Sequence, residues 1–568
     1  MRGPGDRAPK CLLGQKPTGS VSSEGHVSDP INADLGLDVL PGSWSLARAQ
    51  MPHAREPGDL DAASLSIDDT LSREGEKPQA ATEGIEKSDE VVVPKKSSKT
   101  WVTPVESMEG RTEAKGKSAK GNAFSTQSES DALTTLRRIG QRAKEKPEEK
   151  FTNLLSHVTP TLLKEAYERL QKKASPGVDG VTWEDYGARF DERINDLCNR
   201  VHRGSYHPQP VKRVYIPKGD GSVRPLGIPA LEDKIVQQAV RMILEPIYEA
   251  MFVGFSYGFR PNRSAHGALD ALAVAIEKKV SWVLDGDIRS FFDTVDHEWV
   301  KKFVEHRIGD SRMVRLIMKW LHAGMMESGQ WREVESGTPQ GGLISPLLSN
   351  LYLHYVFDLW AIQWRKRHAR GEMYVVRYAD DFVMAFQYES DALAMREALG
   401  ARLAEFKLAL HPDKTRVLEF GRFARATRET RGDRKPETFE FLGFTHIASF
   451  DRLGRFQLKR RTSRKKRRAK VKRLTEECRR RRHAPVTEQH AWLSAVLRGH
   501  DAYYAVPTNY RALAQFHQEV AWIWHRSLQR RSQRGRWTQS QRETFETRFP
   551  LPPPRILHPW PDKRFATR

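Results

Sequence analysis

Cysteine is scarce in this chain of 568 residues, which contains only Cys11, Cys198 and Cys478. No two of them lie at the short spacing of a zinc site, so the sequence argues against a cysteine-bound zinc centre. A run of about eighteen apolar residues, the length needed to span a membrane, is also absent. The first residues lack the apolar segment of a secretory signal. We therefore expect no membrane association and a location in the cytoplasm, with the bacterial cytoplasm or nucleoid favoured.

Aromatic residues are rare at the start of the chain. Residues 1–125 contain only Trp44, Trp101 and Phe124 and are rich in Ser, Gly, Pro, Glu and Lys. The apolar area that they could bury is too small to offset the conformational entropy of folding. We predict a disordered leader over 1–125, followed by helices that begin near residues 131 and 161. Roughly 440 further residues exceed a single core and indicate two or three subdomains.

Acidic residues are scarce in one basic segment. Between Lys459 and Arg482 there are fifteen Lys and Arg but only two acids, Glu476 and Glu477. The whole chain has a formal charge of +22 and a pI of about 9.8. This balance predicts binding to a nucleic-acid backbone, with an affinity that falls steeply with salt. Because like charges repel, we expect the segment to stay open until a polyanion neutralises it; a solvated helix face is the alternative.

A pair of carboxylates stands between two apolar runs. Asp380 and Asp381 lie between residues 373–376 and 382–386, a pattern that predicts a tight β-hairpin with both acids at its tip. Asp287 closes another apolar run and is predicted to end a strand. Mg²⁺ prefers a few carboxylates, and two ions about 3.5–4 Å apart can stabilise both reacting oxygens of a phosphoryl transfer. Asp287, Asp380 and Asp381 are therefore predicted to hold two Mg²⁺ ions, with a solvated turn as the alternative.

Short motifs surround these acids in a particular order. They are Ser-Pro-Gly-Val-Asp-Gly at 175–180, Ile-Pro-Lys at 216–218, Arg-Pro-Leu-Gly-Ile-Pro at 224–229, Gly-Phe-Ser-Tyr-Gly-Phe-Arg-Pro at 254–261, the Asp287 segment, Gly-Thr-Pro-Gln-Gly-Gly-Leu-Ile-Ser-Pro at 337–346, the Asp380 hairpin, His-Pro-Asp-Lys-Thr at 411–415 and Phe-Leu-Gly-Phe at 441–444. In order and spacing, the series resembles a group II intron reverse transcriptase over roughly residues 150–450.

The resemblance implies an α+β right-hand polymerase. Fingers and a ferredoxin-like palm would occupy 126–450, a basic α-helical thumb or maturase domain 451–535, and a Pro-rich C-terminal tail 536–568. The implied activity is RNA-directed DNA synthesis from deoxynucleoside triphosphates (dNTPs), with assistance to intron splicing. The implied partners are group II intron RNA, a DNA primer or target and dNTPs, and a homodimer is left open.

Five residues are candidates for contact with the incoming dNTP. Lys218 and Arg224 flank a Gly-Asp-Gly turn and would present two cations to a triphosphate, the Arg in a bidentate grip. Gln340 lies in a Gly-rich turn that opens a helix, where backbone can approach a nucleotide. The resemblance implies that Phe292 stacks under the sugar and that Lys414 acts near the leaving pyrophosphate. Without the resemblance, the alternatives are an exposed basic hairpin for Lys218 and Arg224 and an ordinary helix-start turn for Gln340. Phe292 would then be a core aromatic, and Lys414 a solvated lysine.

Further cations are predicted to contact RNA, mostly in the basic segment and the helical region after it. Core aromatics and RNA-facing cations can share one helix there. The predicted RNA contacts are Arg260, Arg263, Arg464, Lys465, Lys466, Arg467, Arg468, Arg498 and Tyr503.

One departure from the longer family members concerns the cysteines. With no cysteine pair at zinc spacing, we expect a member without the C-terminal His-Asn-His endonuclease domain, so priming would need some other 3′ end. The leader is hypothesised to be translated intron sequence or a misassigned start, with Met108 as a later candidate. The alternative functions are a splicing-only maturase and a retron or diversity-generating reverse transcriptase, and residues 455–530 discriminate against the latter.

Overall fold

The computed structural model describes residues 123–217, 223–327, 329–333, 336–338, 341–433, 435–532, 535–561 and 563, with side chains from residue 132 onward. The predicted disordered leader, 1–125, lies outside these ranges except for its last three positions. Lys218 and Gln340, two of the predicted dNTP contacts, also lie outside them.

The N-terminal part of the described chain is mainly helical, and three of its described helices begin at polar caps. The Thr159 hydroxyl accepts a hydrogen bond from the Leu162 N–H at 3.2 Å, and Thr182 and Asp185 cap each other's backbone in the next helix. The predicted helices near residues 131 and 161 are present. The elements of this part are α1 (Ala123–Glu145), α2 (Pro160–Glu168), α3 (Trp183–Gly187), α4 (Phe190–Arg203), β1 (Val211–Pro217), β2 (Val223–Ile228), α5 (Leu231–Glu249) and α6 (Ala265–Ile276).

The middle part alternates strands with helices and carries the three predicted metal ligands. A five-residue π-helical turn, His354–Asp358, interrupts its longest helical stretch. The elements are β3 (Trp282–Asp287), α7 (Phe291–Thr294), α8 (His297–Arg307), α9 (Ser311–Leu321), β4 (Met325–Glu327), β5 (Gln330–Arg332), α10 (Ser345–Leu353), α11 (Leu359–His368), β6 (Met373–Tyr378), β7 (Asp381–Phe386), α12 (Glu389–Glu405) and β8 (Arg416–Glu419).

A central antiparallel sheet has the strand order β6-β7-β3-β8. Its strands read as apolar runs because both faces are covered. Leu284 and Met384 pack into a core with the helices on one face, whereas Val283 and Val383 pack into a second core with α6 on the other. The predicted hairpin is confirmed: β6 and β7 are joined by a two-residue turn at 379–380.

The strands that come earliest in the chain form another sheet, which has the order β2-β1-β4-β5 and is here called the first sheet. β1 and β2 pair antiparallel, with Arg224 opposite Ile216, and β1 pairs parallel with β4. Residues 341–344 run close to this sheet before α10 begins, since a Cβ on Gly341 would lie 2.4 Å from the Gly227 carbonyl oxygen of β2. The first sheet therefore stands beside the chain that leads into the helical core.

The C-terminal part of the described chain consists of a small sheet and five helices. The third sheet, β11-β10-β9, packs against the second core, and the last four helices surround Leu493, Trp524 and Leu528. Among the described residues, none of the helices is both long and apolar enough to cross a membrane. The elements are α13 (Ala424–Thr430), β9 (Thr438–Phe441), β10 (Phe444–Phe450), β11 (Phe456–Thr462), α14 (Arg464–Arg480), α15 (Val486–Tyr504), α16 (Tyr510–Gln529) and α17 (Gln539–Arg548).

One expectation for this part is corrected, and the structure adds detail to another. The basic segment does not stay open: it forms the end of β11 and the helix α14, because Leu474 and Cys478 are buried and Glu519 and Glu477 pair with its arginines. The predicted Pro-rich tail contains α17, and residues after it dock on the preceding helices. The Leu557 N–H, for example, donates to the Ala505 carbonyl at 2.9 Å.

Candidate active site

Three carboxylates meet at one edge of the central sheet. Asp287 ends β3 and stands directly opposite Asp381, the first residue of β7. Asp380 occupies the hairpin turn just before it. Ala379, the other turn residue, has a φ of 57°, the left-handed conformation that lets so short a turn close. The strand register and the turn together bring Asp287, Asp380 and Asp381 to one place, as the sequence predicted.

The carboxylates are crowded as well as close. Burial raises the pKa of Asp380 to about 6, and the negative charge of Asp287 adds to the increase. Burial, followed by the charges of Asp380 and Asp287, also raises the pKa of Asp381 well above its ordinary value. A site that holds several negative charges against burial and mutual repulsion is suited to a multivalent cation.

Two of the predicted dNTP-binding cations lie beside the carboxylates. The Lys414 ammonium is 2.6 Å from the Asp287 Oδ2, although 60% of the lysine side chain is exposed. The Asp287 carbonyl also accepts a hydrogen bond from His411 N at 2.8 Å, which fixes the loop that carries Lys414. Arg224 is half-buried on β2, and its charge and that of Lys414 both act to lower the pKa of Asp380. Arg224 therefore faces the site from the first sheet, and Lys414 from the loop before β8.

The donor set fits Mg²⁺ in kind, because carboxylate oxygens are the ligands this ion prefers. As the side chains stand, however, the described part of the chain contains no group of three or more His, Cys, Asp or Glu arranged to hold a metal ion. Asp287 is paired with Lys414 instead. Reorientation of that carboxylate would be needed to complete a three-carboxylate site.

Phe292 and the glycine-rich loop share one contact. Phe292 is partly buried against the first core, and its carbonyl accepts the Thr338 N–H at 2.8 Å. Gly337 has a φ of 88°, and a Cβ there would lie 2.7 Å from the same carbonyl, so the approach requires glycine. Of the described residues of this motif, Gly337 and Thr338 thus lie beside Phe292, and Gly341 lies beside Gly227.

The structure adds supporting residues that sequence reasoning missed. A Cβ on Gly258 would lie 2.4 Å from Ala379 N, so residues 254–261 press against the turn that carries Asp380. Arg377, in β6, lies buried beneath the same turn and contacts Asp358 and Asn350. One sequence signal could have found it: Arg377 is a charged residue inside an apolar strand pattern, which requires a buried partner.

Two of the predicted RNA contacts, Arg260 and Arg263, lie before residue 300, and their surroundings differ. Arg260 is buried, and its guanidinium donates to Glu249 and to the carbonyls of Val253 and Ser256. With these donors engaged inside the protein, Arg260 acts as a structural clamp, and its assignment as an RNA contact is withdrawn. Arg263 is half-exposed over the Tyr257 ring, and its contact with RNA stays a prediction.

The predicted RNA contacts on the C-terminal helices divide into two groups. One group is exposed and comprises Arg464, Lys465, Lys466, Arg468 and Arg498. The other is engaged within the protein: Arg467 lies 3.4 Å from Glu519, and the hydroxyl of half-buried Tyr503 donates to the Leu442 carbonyl at 2.8 Å. Lys466 also approaches the central sheet, since its charge acts to lower the pKa of Asp381. Contact of both groups with RNA stays a prediction.

The sequence of this chain is similar to those of known proteins. The family model described as reverse transcriptase (RNA-dependent DNA polymerase) matches residues 216–446, which include all three carboxylates. Protein YkfC of Escherichia coli (strain K12) is 38% identical over 318 residues, which cover 50% of this chain and 83% of YkfC. Group II intron-encoded protein LtrA of Lactococcus lactis subsp. cremoris is 38% identical over 240 residues, or 42% of this chain and 40% of LtrA. Nuclear intron maturase 1, mitochondrial, of Arabidopsis thaliana is 32% identical over 89 residues, which cover 16% of this chain and 12% of that protein.

Proposed function

Because the chain belongs to the group II intron reverse transcriptase and maturase family, we propose that it copies its intron RNA into DNA and assists splicing of that RNA. One observation supports the polymerase activity above all others. Within the matched region, Asp287 and Asp381 are paired residues of adjacent strands, and Asp380 occupies the hairpin turn directly before Asp381.

We assign the parts of a right-hand polymerase as follows. The first sheet and the helices before it form the fingers, and the central sheet with α6, α10 and α12 forms the palm. The strand order β6-β7-β3-β8 is that of a ferredoxin-like sheet and supports this assignment. The thumb begins after the third sheet, near residue 463, and comprises α14 to α17 with the docked residues after them. The sequence boundary between thumb and tail, at 535, is therefore dropped from the proposal.

Asp287, Asp380 and Asp381 are the residues that would hold two Mg²⁺ ions. When bound, such ions stabilise charge on both the attacking and the leaving oxygen of phosphoryl transfer. The protein contributes the positions of the groups: β3 and β7 hold the backbones of Asp287 and Asp381 opposite each other, and the turn holds Asp380. Since phosphoryl transfer asks for little covalent chemistry from the protein, positioning and charge stabilisation supply most of the rate.

The remaining site residues act on the nucleotide. Arg224, with Lys218, binds the triphosphate, and Phe292 supports the sugar from below. The primer 3′ hydroxyl loses its proton to solvent as its oxygen attacks the α-phosphorus, and the bond from that phosphorus to the pyrophosphate oxygen breaks. Lys414, whose ammonium is 2.6 Å from the Asp287 Oδ2, would leave that carboxylate and donate a proton to the leaving pyrophosphate, which neutralises charge as it develops. Gln340 and its loop bring the backbone to the nucleotide.

Primer extension tests the polymerase assignment. Asp287→Asn removes a charge from the proposed site, and Asp293→Asn makes the same change six residues away, at an exposed position. On an RNA template with Mg²⁺ and dNTPs, we expect Asp287→Asn to abolish extension and Asp293→Asn to leave it within about twofold. Equal activity of both variants, with both folded, would remove Asp287 from the site.

The exposed cations of α14 support the splicing role. Arg464, Lys465 and Arg468 project from one surface helix next to the palm, and a polyanion is the partner that such a surface attracts. An Asp380→Ala, Asp381→Ala double variant should lose cDNA synthesis but retain splicing, since α14 is untouched. If instead the double variant lost splicing while it still bound intron RNA with wild-type affinity, the separation of the two roles would be wrong.

A further inference from the structure

We propose that Arg377 is a positioning residue for polymerisation: its guanidinium fixes the peptide that aims Asp380. This inference rests on the proposed function, because it concerns the same carboxylate site. Arg377 never faces the site itself, since its side chain is fully buried under the hairpin turn.

Arg377 is held by a partner as deeply buried as itself. Its Nε donates to the Asp358 Oδ1 at 2.7 Å and its Nη2 to the Asp358 Oδ2 at 2.6 Å, and both side chains are 0% exposed. Two parallel bonds of this kind fix the plane of the guanidinium as well as its position. Asp358 is the last residue of the π-helical turn His354–Asp358, an irregularity that often marks a functional position in a helix.

The donors that remain are directed at the hairpin turn and its supports. Nη1 donates to the Ala379 carbonyl at 3.0 Å and to the Asn350 Oδ1 at 3.2 Å, and Nη2 also donates to the Ser256 Oγ at 2.8 Å. The Ala379 carbonyl belongs to the peptide whose nitrogen is that of Asp380. Holding this carbonyl therefore holds the orientation of the Asp380 backbone.

The turn needs such support because of its conformation. Ala379 has a φ of 57°, which is unfavourable for a residue with a Cβ. Gly258 packs closely against the Ala379 nitrogen, and the Asn350 Nδ2 donates to the Gly258 carbonyl at 2.7 Å. Arg377 and Asn350 thus connect the turn to the Gly258 segment through one set of hydrogen bonds.

A purely structural role explains this arrangement less well. A buried ion pair stabilises a fold no better than well-packed apolar residues of similar volume, because both charges lose their hydration. The same pair can instead specify one geometry. Here the geometry specified is that of the turn, and neither lysine nor an apolar residue can bond Asp358 and the Ala379 carbonyl together.

The decisive variant replaces the whole pair: Arg377→Met with Asp358→Leu. It leaves no uncompensated charge, so the melting temperature should stay within a few degrees of wild type, but the Ala379 carbonyl loses its donor. We expect kcat for single-nucleotide addition to fall about 100-fold. The KM for dNTP and the Kd for primer and template should change less than threefold. Hydrogen exchange at residues 379–381 should become faster.

Two comparisons keep the test decisive. Ser256→Ala removes one bond to Arg377 without touching the Ala379 carbonyl and should keep kcat within about threefold. Should the double variant fail to fold, Arg377→Lys keeps the charge but not the fork; it should lower kcat and speed exchange at 379–381 with unchanged Kd. The inference would be overturned if the double variant folded with the wild-type melting temperature and kept wild-type kcat. It would also be overturned if a folded Arg377→Lys kept wild-type kcat. Absence of RNA-templated extension in wild type would instead count against the proposed function.

Discussion

Gly258→Ala adds one methyl group outside the carboxylate site and should displace the turn that carries Asp380. Gly258 is buried in the segment 254–261, and a Cβ there would lie 2.4 Å from the Ala379 nitrogen and 3.0 Å from the Tyr378 carbonyl carbon. Both are backbone atoms, so no side chain can move aside to make room. The methyl group must therefore push the turn at 379–380 and the segment 254–261 apart.

The size of the effect follows from that geometry. Ordinary contact between such atoms is about 3.5 Å, so roughly 1 Å of displacement must be accommodated. A displacement of about 1 Å at a catalytic group costs on the order of 100-fold in rate, equivalent to about 2.7 kcal/mol of transition-state stabilisation. We expect kcat for single-nucleotide addition to fall by this factor, with little change in the Kd of primer and template, since the exposed cations are untouched.

Gly254→Ala provides the matched control. It lies four residues earlier in the same segment, and a Cβ there would meet no atom within 4 Å. Rapid-quench primer extension and thermal unfolding should be measured on both variants. Gly254→Ala should match wild type in both. If folded Gly258→Ala kept more than about a third of wild-type kcat, the close packing of this segment on the turn would not matter for catalysis.

Three further predictions concern other parts of the molecule. Lys414→Ala should lower kcat by about 10²-fold or more in primer extension, whereas Lys407→Ala, which breaks an ion pair away from the site, should not; equal effects would refute a proton-transfer role. Arg464→Gln with Arg468→Gln should weaken intron RNA binding in filter assays and lower the salt dependence of log K by about one for each phosphate that the variant no longer neutralises; an unchanged slope would exclude both arginines from the RNA interface. Burial raises the pKa of Asp233 to about 7, so the folded state holds a proton that the unfolded state releases. This contribution to stability is lost as pH rises from about 4 to 7. In urea unfolding, the free energy of unfolding of Asp233→Asn should therefore decline less over this pH range than that of wild type, and an identical decline would contradict this.

Local sequence patterns predicted much of the candidate site. Asp287 at a strand end and Asp380 in a hairpin turn follow from apolar runs that stop at acids, and strand pairing then brings the acids together. Such patterns are short-range, so the residues of each strand are enough to predict where that strand ends. The ferredoxin-like order of the sheet came from the family resemblance, and the approach of Arg224 from a separate sheet is seen only in the structure.

The supports of the site could not be predicted because they depend on tertiary contacts. Gly258 reads as one more glycine in a motif until its distance to Ala379 is known. Arg260 reads as a basic residue free to bind RNA until its burial beside Glu249 is seen. Charge repulsion alone wrongly predicted an open segment at 459–482, because burial of Leu474 and pairing with Glu519 outweigh it.

The proposed function requires Asp380 to belong to a metal-dependent site for RNA-templated DNA synthesis. Primer extension on an RNA template, with Mg²⁺ and dNTPs, should be compared between wild type and Asp380→Ala, with intron RNA binding measured on the same preparations. Extension by wild type that disappears in Asp380→Ala, with RNA binding unchanged, is the predicted result. A wild-type protein that binds intron RNA but extends no primer would contradict the claim and identify a maturase that acts in splicing alone.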